Sequence, residues 1–250
     1  MTETEEWITY HLDLPRGSCR EYRVSVLTGL ARRNEAQALP QWTNLSHHRC
    51  KHCTLDDKRH SQCPLAASLV DLVADWSDAT SHDSVHLNVI TAHRQITADT
   101  TMQRALSSLL GLVMATSACP SMGFFRPMAR YHLPVSTHEE TMFRVVSTYL
   151  LARYFMNGSA NSDVGFESLL AIYRDLREIN IQIAKRIQDG GKNEATTNAV
   201  VLLHVLTCVL PSSMEDSLQE LRMLFGPAVG QLRLAELERD AAADENSAPT

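Results

Sequence analysis

The stretch W-T-N-L-S-H-H-R-C-K-H-C-T-L-D-D-K-R-H-S-Q-C-P-L, from Trp42 to Leu65, carries three of the chain's six cysteines and four of its eleven histidines. Cys50 and Cys53 form a C-x-x-C pair; Cys63 follows after nine intervening residues, with His60 three positions before it. A two-residue gap lets two thiolates of one tight turn face the same soft cation, as a tetrahedral zinc site requires. The spacing predicts a metal centre on Cys50, Cys53, Cys63 and one histidine. His60 repeats the C-x-x-C interval and is the expected fourth ligand; His48 is the alternative, with His47 and His52 behind. Four protein ligands close the coordination sphere, so the zinc is expected to be structural and its binding energy to serve as folding energy. An iron–sulfur cluster is the weaker alternative, because no fourth cysteine is near in sequence and a histidine would have to serve.

Upstream of this loop, Trp7–Leu14 alternates as a half-buried strand does, and Arg20–Leu27 alternates again. Pro15-Arg16-Gly17-Ser18 supplies turn chemistry between them, which predicts a β-hairpin. Downstream, Pro64 suits the first turn of a helix running to Trp76, since its missing N–H is not needed there. Val85–Ile90 predicts a third strand. Residues 1–100 are therefore expected to form a small α+β unit around the metal.

From Thr101 the periodicity becomes helical, with Met102, Ala105, Leu106, Leu109, Leu110 and Val113 on one stripe. Ser136-Thr137-His138-Glu139 reads as the capping box of a helix that continues to Phe155 and is closed by Asn157-Gly158. Asp163–Asp189 is a long amphipathic stretch stopped by Gly190-Gly191. Asn193–Leu210 is nearly all apolar after its first turn and is expected to be the central buried helix. A last helix starts at the Ser212–Glu215 cap and stops at Gly226-Pro227. The expected fold class is α+β: a zinc-stapled strand unit, a helical bundle over 101–240, and an unstructured acidic tail over 241–250.

The formal charge of −6 argues against a broad phosphate-binding face. Within the cysteine loop Arg49, Lys51, Lys58 and Arg59 stand against Asp56 and Asp57, with no aromatics interleaved for base stacking, so no nucleic acid is expected. No apolar run approaches the roughly 20 residues of a membrane span. The acidic start, M-T-E-T-E-E-W, lacks the basic and apolar blocks of a signal peptide, which places the expected protein in the cytoplasm. Thiols stay reduced there, so clustered cysteines argue for metal rather than disulfides.

A second constellation lies between Thr116 and Arg144, where three prolines interrupt a stretch holding Cys119, Arg126, Arg130, His132 and Arg144. Long irregular segments between helices are often functional. The arginines can tie loops to carboxylates, or Arg126, Arg130, His132 and Arg144 can face an anionic small molecule. A thiol–imidazole pair of Cys119 and His132 is a third reading, but no oxyanion or phosphate loop accompanies it. Cys119 reads instead as a lone buried thiol, and Cys208 and His204 as core residues of an apolar helix. No Walker loop, G-x-G-x-x-G, H-E-x-x-H or G-x-S-x-G is present.

The combination of C-x-x-C…C-P-L-A with S-A-C-P…R-P-M-A-R-Y-H-L-P and H-E-E-T…Y-L-L-A-R-Y-F resembles a family of uncharacterised bacterial cytoplasmic proteins, mainly proteobacterial, over Leu39–Phe225. That resemblance implies bacterial origin and brings no established activity with it. The leading expectation is a non-enzymatic regulatory or adaptor protein with structural zinc, acting through a protein partner. The alternative is a sensor or enzyme that holds an anionic small molecule in the 119–144 segment.

Overall fold

The computed structural model describes residues 6–14, 17, 19–32, 36–157, 165–191, 194–212 and 214–247. Pro15, Arg16, Ser18, Gly158, Asp163, Asn193 and Ser213, which enter the expected turns and helix ends, lie outside the described residues.

Strands β1 (Trp7–Asp13), β2 (Cys19–Ser25), β3 (Gly29–Leu30), β4 (Ser84–Ile90) and β5 (Gln95–Thr101) form one antiparallel sheet in the order β3-β2-β1-β4-β5. The hairpin and the third strand stand where alternation put them, and β4 pairs with β1. Ile8, Tyr10 and Leu12 of β1, Tyr22 and Val24 of β2, and Val85, Leu87 and Val89 of β4 are buried. Their pairing (Tyr10 opposite Tyr22 and Val89, Leu12 opposite Leu87) brings them to one apolar face. β5 was not expected. Ile96 is its single strong apolar residue, and the rest reads Q-T-A-D-T-T, so its alternation is faint in sequence. As an edge strand it needs only half-burial and the ladder to β4.

The helices are α1 (Pro64–Ser68), α2 (Val70–Asp75), α3 (Met102–Thr116), α4 (Arg126–Arg130), α5 (His138–Asn157), α6 (Glu167–Asp189), α7 (Glu194–Ser212) and α8 (Met214–Ser247). A 3-10 turn, Pro120–Phe125, leads into α4. The helix expected from Pro64 to Trp76 is interrupted at Leu69, where the Ser68 hydroxyl donates to the Leu65 carbonyl at 2.8 Å and competes with the helical ladder.

The central buried helix is α3, not the 193–210 segment: eleven of its fifteen residues are buried, and it packs on the sheet. Helix α7 leaves Val201 and Val205 exposed, so its apolar composition covers one face and spills onto the other. The α5 capping box sits one residue later than expected. Thr137 Oγ1 accepts from the Glu140 N–H (3.1 Å), and the Glu140 carboxylate accepts from the Thr137 N–H (2.7 Å).

The chain separates into two compact units, Met1–Pro211 and Ser212–Thr250. In the second, α8 runs through Gly226-Pro227 and on to Ser247, across positions expected to end the helix or lack structure; residues 248–250 lie outside the described ones. Strong helix formers on both sides of Pro227 carry the helix past one lost backbone bond. Among the described residues no single helix is long and apolar enough to cross a membrane.

Candidate functional site

A cavity of about 430 Å³ opens among α3, the Pro120–Phe125 turn, α4, α5, α6 and α7. Leu112, Met122, Phe125, Leu176 and Leu202 make most of its wall apolar. Among the described residues its charged lining is Arg104 and Arg144, and no Asp or Glu lines it. Arg144 reaches in from α5 and is held by the Met128 carbonyl (2.6 Å) and the Tyr131 carbonyl (3.2 Å). Burial holds its guanidinium below the usual range, opposed by Tyr173, Glu140 and Tyr10. A cation kept partly desolvated beside apolar walls is a site for one negative group.

His132 sits on the same wall in a relay from the sheet. The Tyr10 hydroxyl lies 2.8 Å from Ser108 Oγ and in hydrogen-bond contact with His132 Nε2, and the Val135 N–H donates to Ser108 Oγ at 3.1 Å. Burial first, and the Arg144 charge second, push the His132 pKa down to about 3. The imidazole is therefore neutral at pH 7, and burial keeps Tyr10 protonated by raising its pKa. With both groups neutral, the relay can run in either direction, according to which imidazole nitrogen carries the proton. Val135, which also lines the cavity, holds φ +47°, a left-handed conformation that is strained for a β-branched residue.

Asn180 of α6 lines the cavity at 1 % exposure, and neither its Nδ2 nor its Oδ1 has a hydrogen-bond partner among the described residues. An unmade pair of bonds on a buried amide costs about 1–3 kcal/mol. A ligand with one donor and one acceptor could supply the missing partners.

Of the four residues expected to hold a ligand, the fold brings His132 and Arg144 together at this cavity. Arg126 and Arg130 are exposed, outside its lining, and Arg130 pairs with Glu6. Tyr10, Ser108 and Asn180 were missed. Tyr10 falls on the apolar alternation of its strand and Ser108 off the apolar stripe of α3, so neither stood out in sequence. Asn180 carried a legible signal, a polar residue on the Tyr173, Leu176, Ile183, Ile187 stripe of α6.

The cysteine loop is closed at its base by Cys63 N–H to the Thr43 carbonyl (2.7 Å) and Leu45 N–H to the Ser61 carbonyl (2.9 Å). Cys53 N–H donates to the Cys50 carbonyl at 3.1 Å, the tight turn that C-x-x-C predicts. Cys50, Cys53 and Cys63 line one small cavity of about 30 Å³. Cys119 lines it too, reaching in from the end of α3. His60 is exposed and does not line it, whereas His52 does. Burial, then the neighbouring sulfurs of Cys63, Cys119 and Cys53, push the Cys50 thiol up to about 12.

His47 and His48 point elsewhere: their Nε2 atoms lie 3.0 and 2.8 Å from Asp189 Oδ2 at the end of α6. These three form a half-exposed group able to hold a metal ion, though the shared carboxylate already explains both imidazoles. They fasten the loop to α6.

No curated protein and no solved structure matches the chain. A family model does so over most of its length, and the chain belongs to that family, described as Domain of unknown function (DUF6901), through residues 8–226.

Proposed function

We propose that this protein binds a small, largely apolar molecule carrying one anionic group and an amide-complementary polar edge. The observation that carries the reading is the lining of the 430 Å³ cavity: among the described residues, Arg144 and Arg104 with no carboxylate, and the unpartnered Asn180 amide. The volume lies in the range of small-molecule sites, and the ratio of apolar wall to convergent polar groups is of the same kind. The anion faces Arg144, the apolar body lies along Met122, Phe125 and Leu202, and Asn180 both donates and accepts. His132, neutral and backed by Tyr10, offers one further hydrogen bond.

The test is a thermal-shift and calorimetric screen with carboxylates and phosphate monoesters on apolar bodies of graded size. Binding that weakens at least tenfold in Arg144→Gln and in Asn180→Leu supports the reading. Binding that ignores both changes, or favours cationic compounds, ends it.

A contact role with a protein partner has separate support on α5, where Phe143, Leu150, Leu151, Tyr154, Phe155 and Met156 are exposed. Contiguous apolar side chains of this size mark interaction surfaces more often than free ones. Light scattering of the wild type and of Leu151→Glu checks it: an assembly lost in the variant supports the contact, and a monomer in both cases removes it.

A further inference from the structure

We infer that Cys50, Cys53, Cys63 and Cys119 form one four-thiolate metal centre, with Cys119 in the place that sequence spacing gives to a histidine. All four cysteines line one cavity although Cys119 stands 56 residues beyond Cys63 in the chain. His60 is exposed and lies off that cavity. Each contribution has its own local cause. Cys50 and Cys53 share a hydrogen-bonded turn. Cys63 is fixed by its N–H bond to Thr43, immediately before α1. Cys119 precedes the Pro120–Phe125 turn, and the Met122 N–H donates to its carbonyl at 3.0 Å, which fixes the backbone there.

A second observation comes from the other side of the cavity. Arg186 of α6 lines it at 2 % exposure, and among the described residues no carboxylate pairs with it. Its guanidinium donates to the carbonyls of Trp42, Asn44 and Leu45, and among the described residues the groups in the same lining able to carry negative charge are Cys50, Cys53, Cys63 and Cys119. A buried guanidinium costs several kcal/mol unless a negative group compensates it. Four thiolates around a divalent ion, or around a cluster core of the same charge, carry a net charge of −2 and supply that compensation. The centre belongs with thiophilic metals, zinc or iron–sulfur, because all four donors are soft sulfur. A lone zinc ion at about 2.3 Å from each sulfur sets the sulfurs about 3.8 Å apart. Among the described residues no three of these sulfurs lie within 4.8 Å of one another, so binding of a single ion would draw them together.

The experiment is anaerobic purification of the full chain, metal and sulfide analysis, and X-ray absorption at the metal edge. Expected is one centre per chain with four sulfur neighbours and no nitrogen. Iron with stoichiometric acid-labile sulfide and a broad visible band identifies a cluster, and colourless stoichiometric zinc identifies the single ion. Cys119→Ser lowers the metal content at least fivefold, and His60→Ala leaves it unchanged. Because Cys119→Ser can impair folding, cobalt titration of the intact wild type provides an independent count, through the intensity of its sulfur-to-cobalt charge transfer. Absence of metal, three sulfurs with one nitrogen, or metal lost in His60→Ala overturns the inference.

Discussion

Arg186 of α6 donates from one guanidinium nitrogen to the main-chain carbonyls of both Trp42 and Asn44, each at 2.8 Å, and from the other to Leu45 at 3.3 Å. One buried side chain thereby holds the start of the cysteine loop against a helix more than 140 residues away. Arg186→Met strands three carbonyls and is expected to lose on the order of 3 kcal/mol in chemical denaturation. Arg186→Lys recovers little of it, because a point ammonium cannot serve a forked set of acceptors. A change below 1 kcal/mol in Arg186→Met would show that the loop is held elsewhere.

Gly190 works at the same junction. A Cβ built there would stand 2.9 Å from Trp42 Cδ1 and 3.0 Å from its Nε1, and Trp42 is buried. Its φ of −73° is ordinary, so the demand is for space and not for conformational freedom. Gly190→Ala is expected to cost about 1–3 kcal/mol through overpacking. Solvent quenching of Trp42 fluorescence should increase in the variant; unchanged melting and quenching would contradict the packing argument.

Asn180 predicts a gain. Asn180→Leu removes an unpartnered amide and fills similar volume, so the ligand-free protein is expected to be about 1–2 kcal/mol more stable. The same variant should lose affinity for whatever fills the cavity. Stability rising while binding falls is the signature of a strained site. A loss of stability would mean that the amide has partners after all.

His132 sets a pH dependence. Its folded pKa is depressed to about 3, below the ordinary imidazole value, because burial and Arg144 disfavour the cation. The unfolded chain takes up a proton as pH falls through about 6.5, and the folded chain does not. Stability is therefore full above that point and declines toward pH 3, at up to about 1.4 kcal/mol per unit. Denaturation midpoints at pH 7 and pH 5 should differ less in His132→Gln than in the wild type. Equal differences would place His132 in water.

Much of the scaffold was legible in the residues. Alternation located β1, β2 and β4, and helical spacing located α3, because each buries one regular stripe. Boundaries moved where local chemistry competed, as at Ser68 and at the Thr137–Glu140 cap. What spacing could not provide was convergence. Cys119 read as solitary because its neighbours in the fold are distant in the chain, and Tyr10 read as plain core because its hydroxyl partners come from α3 and from His132. Arg126 and Arg130 looked equivalent to Arg144 by composition. Only the turn of the backbone separates the exposed pair from the one that faces inward.

The turn that begins after Cys119 ends at Phe125, so only five residues separate a cysteine of the small cavity from an aromatic wall of the large one. A segment this short has little slack, and displacement at one end is delivered to the other. On the proposals made above, loss or oxidation of the bound metal would register as altered affinity for the small molecule. Linkage makes the converse hold as well, with an occupied chamber slowing the metal's escape.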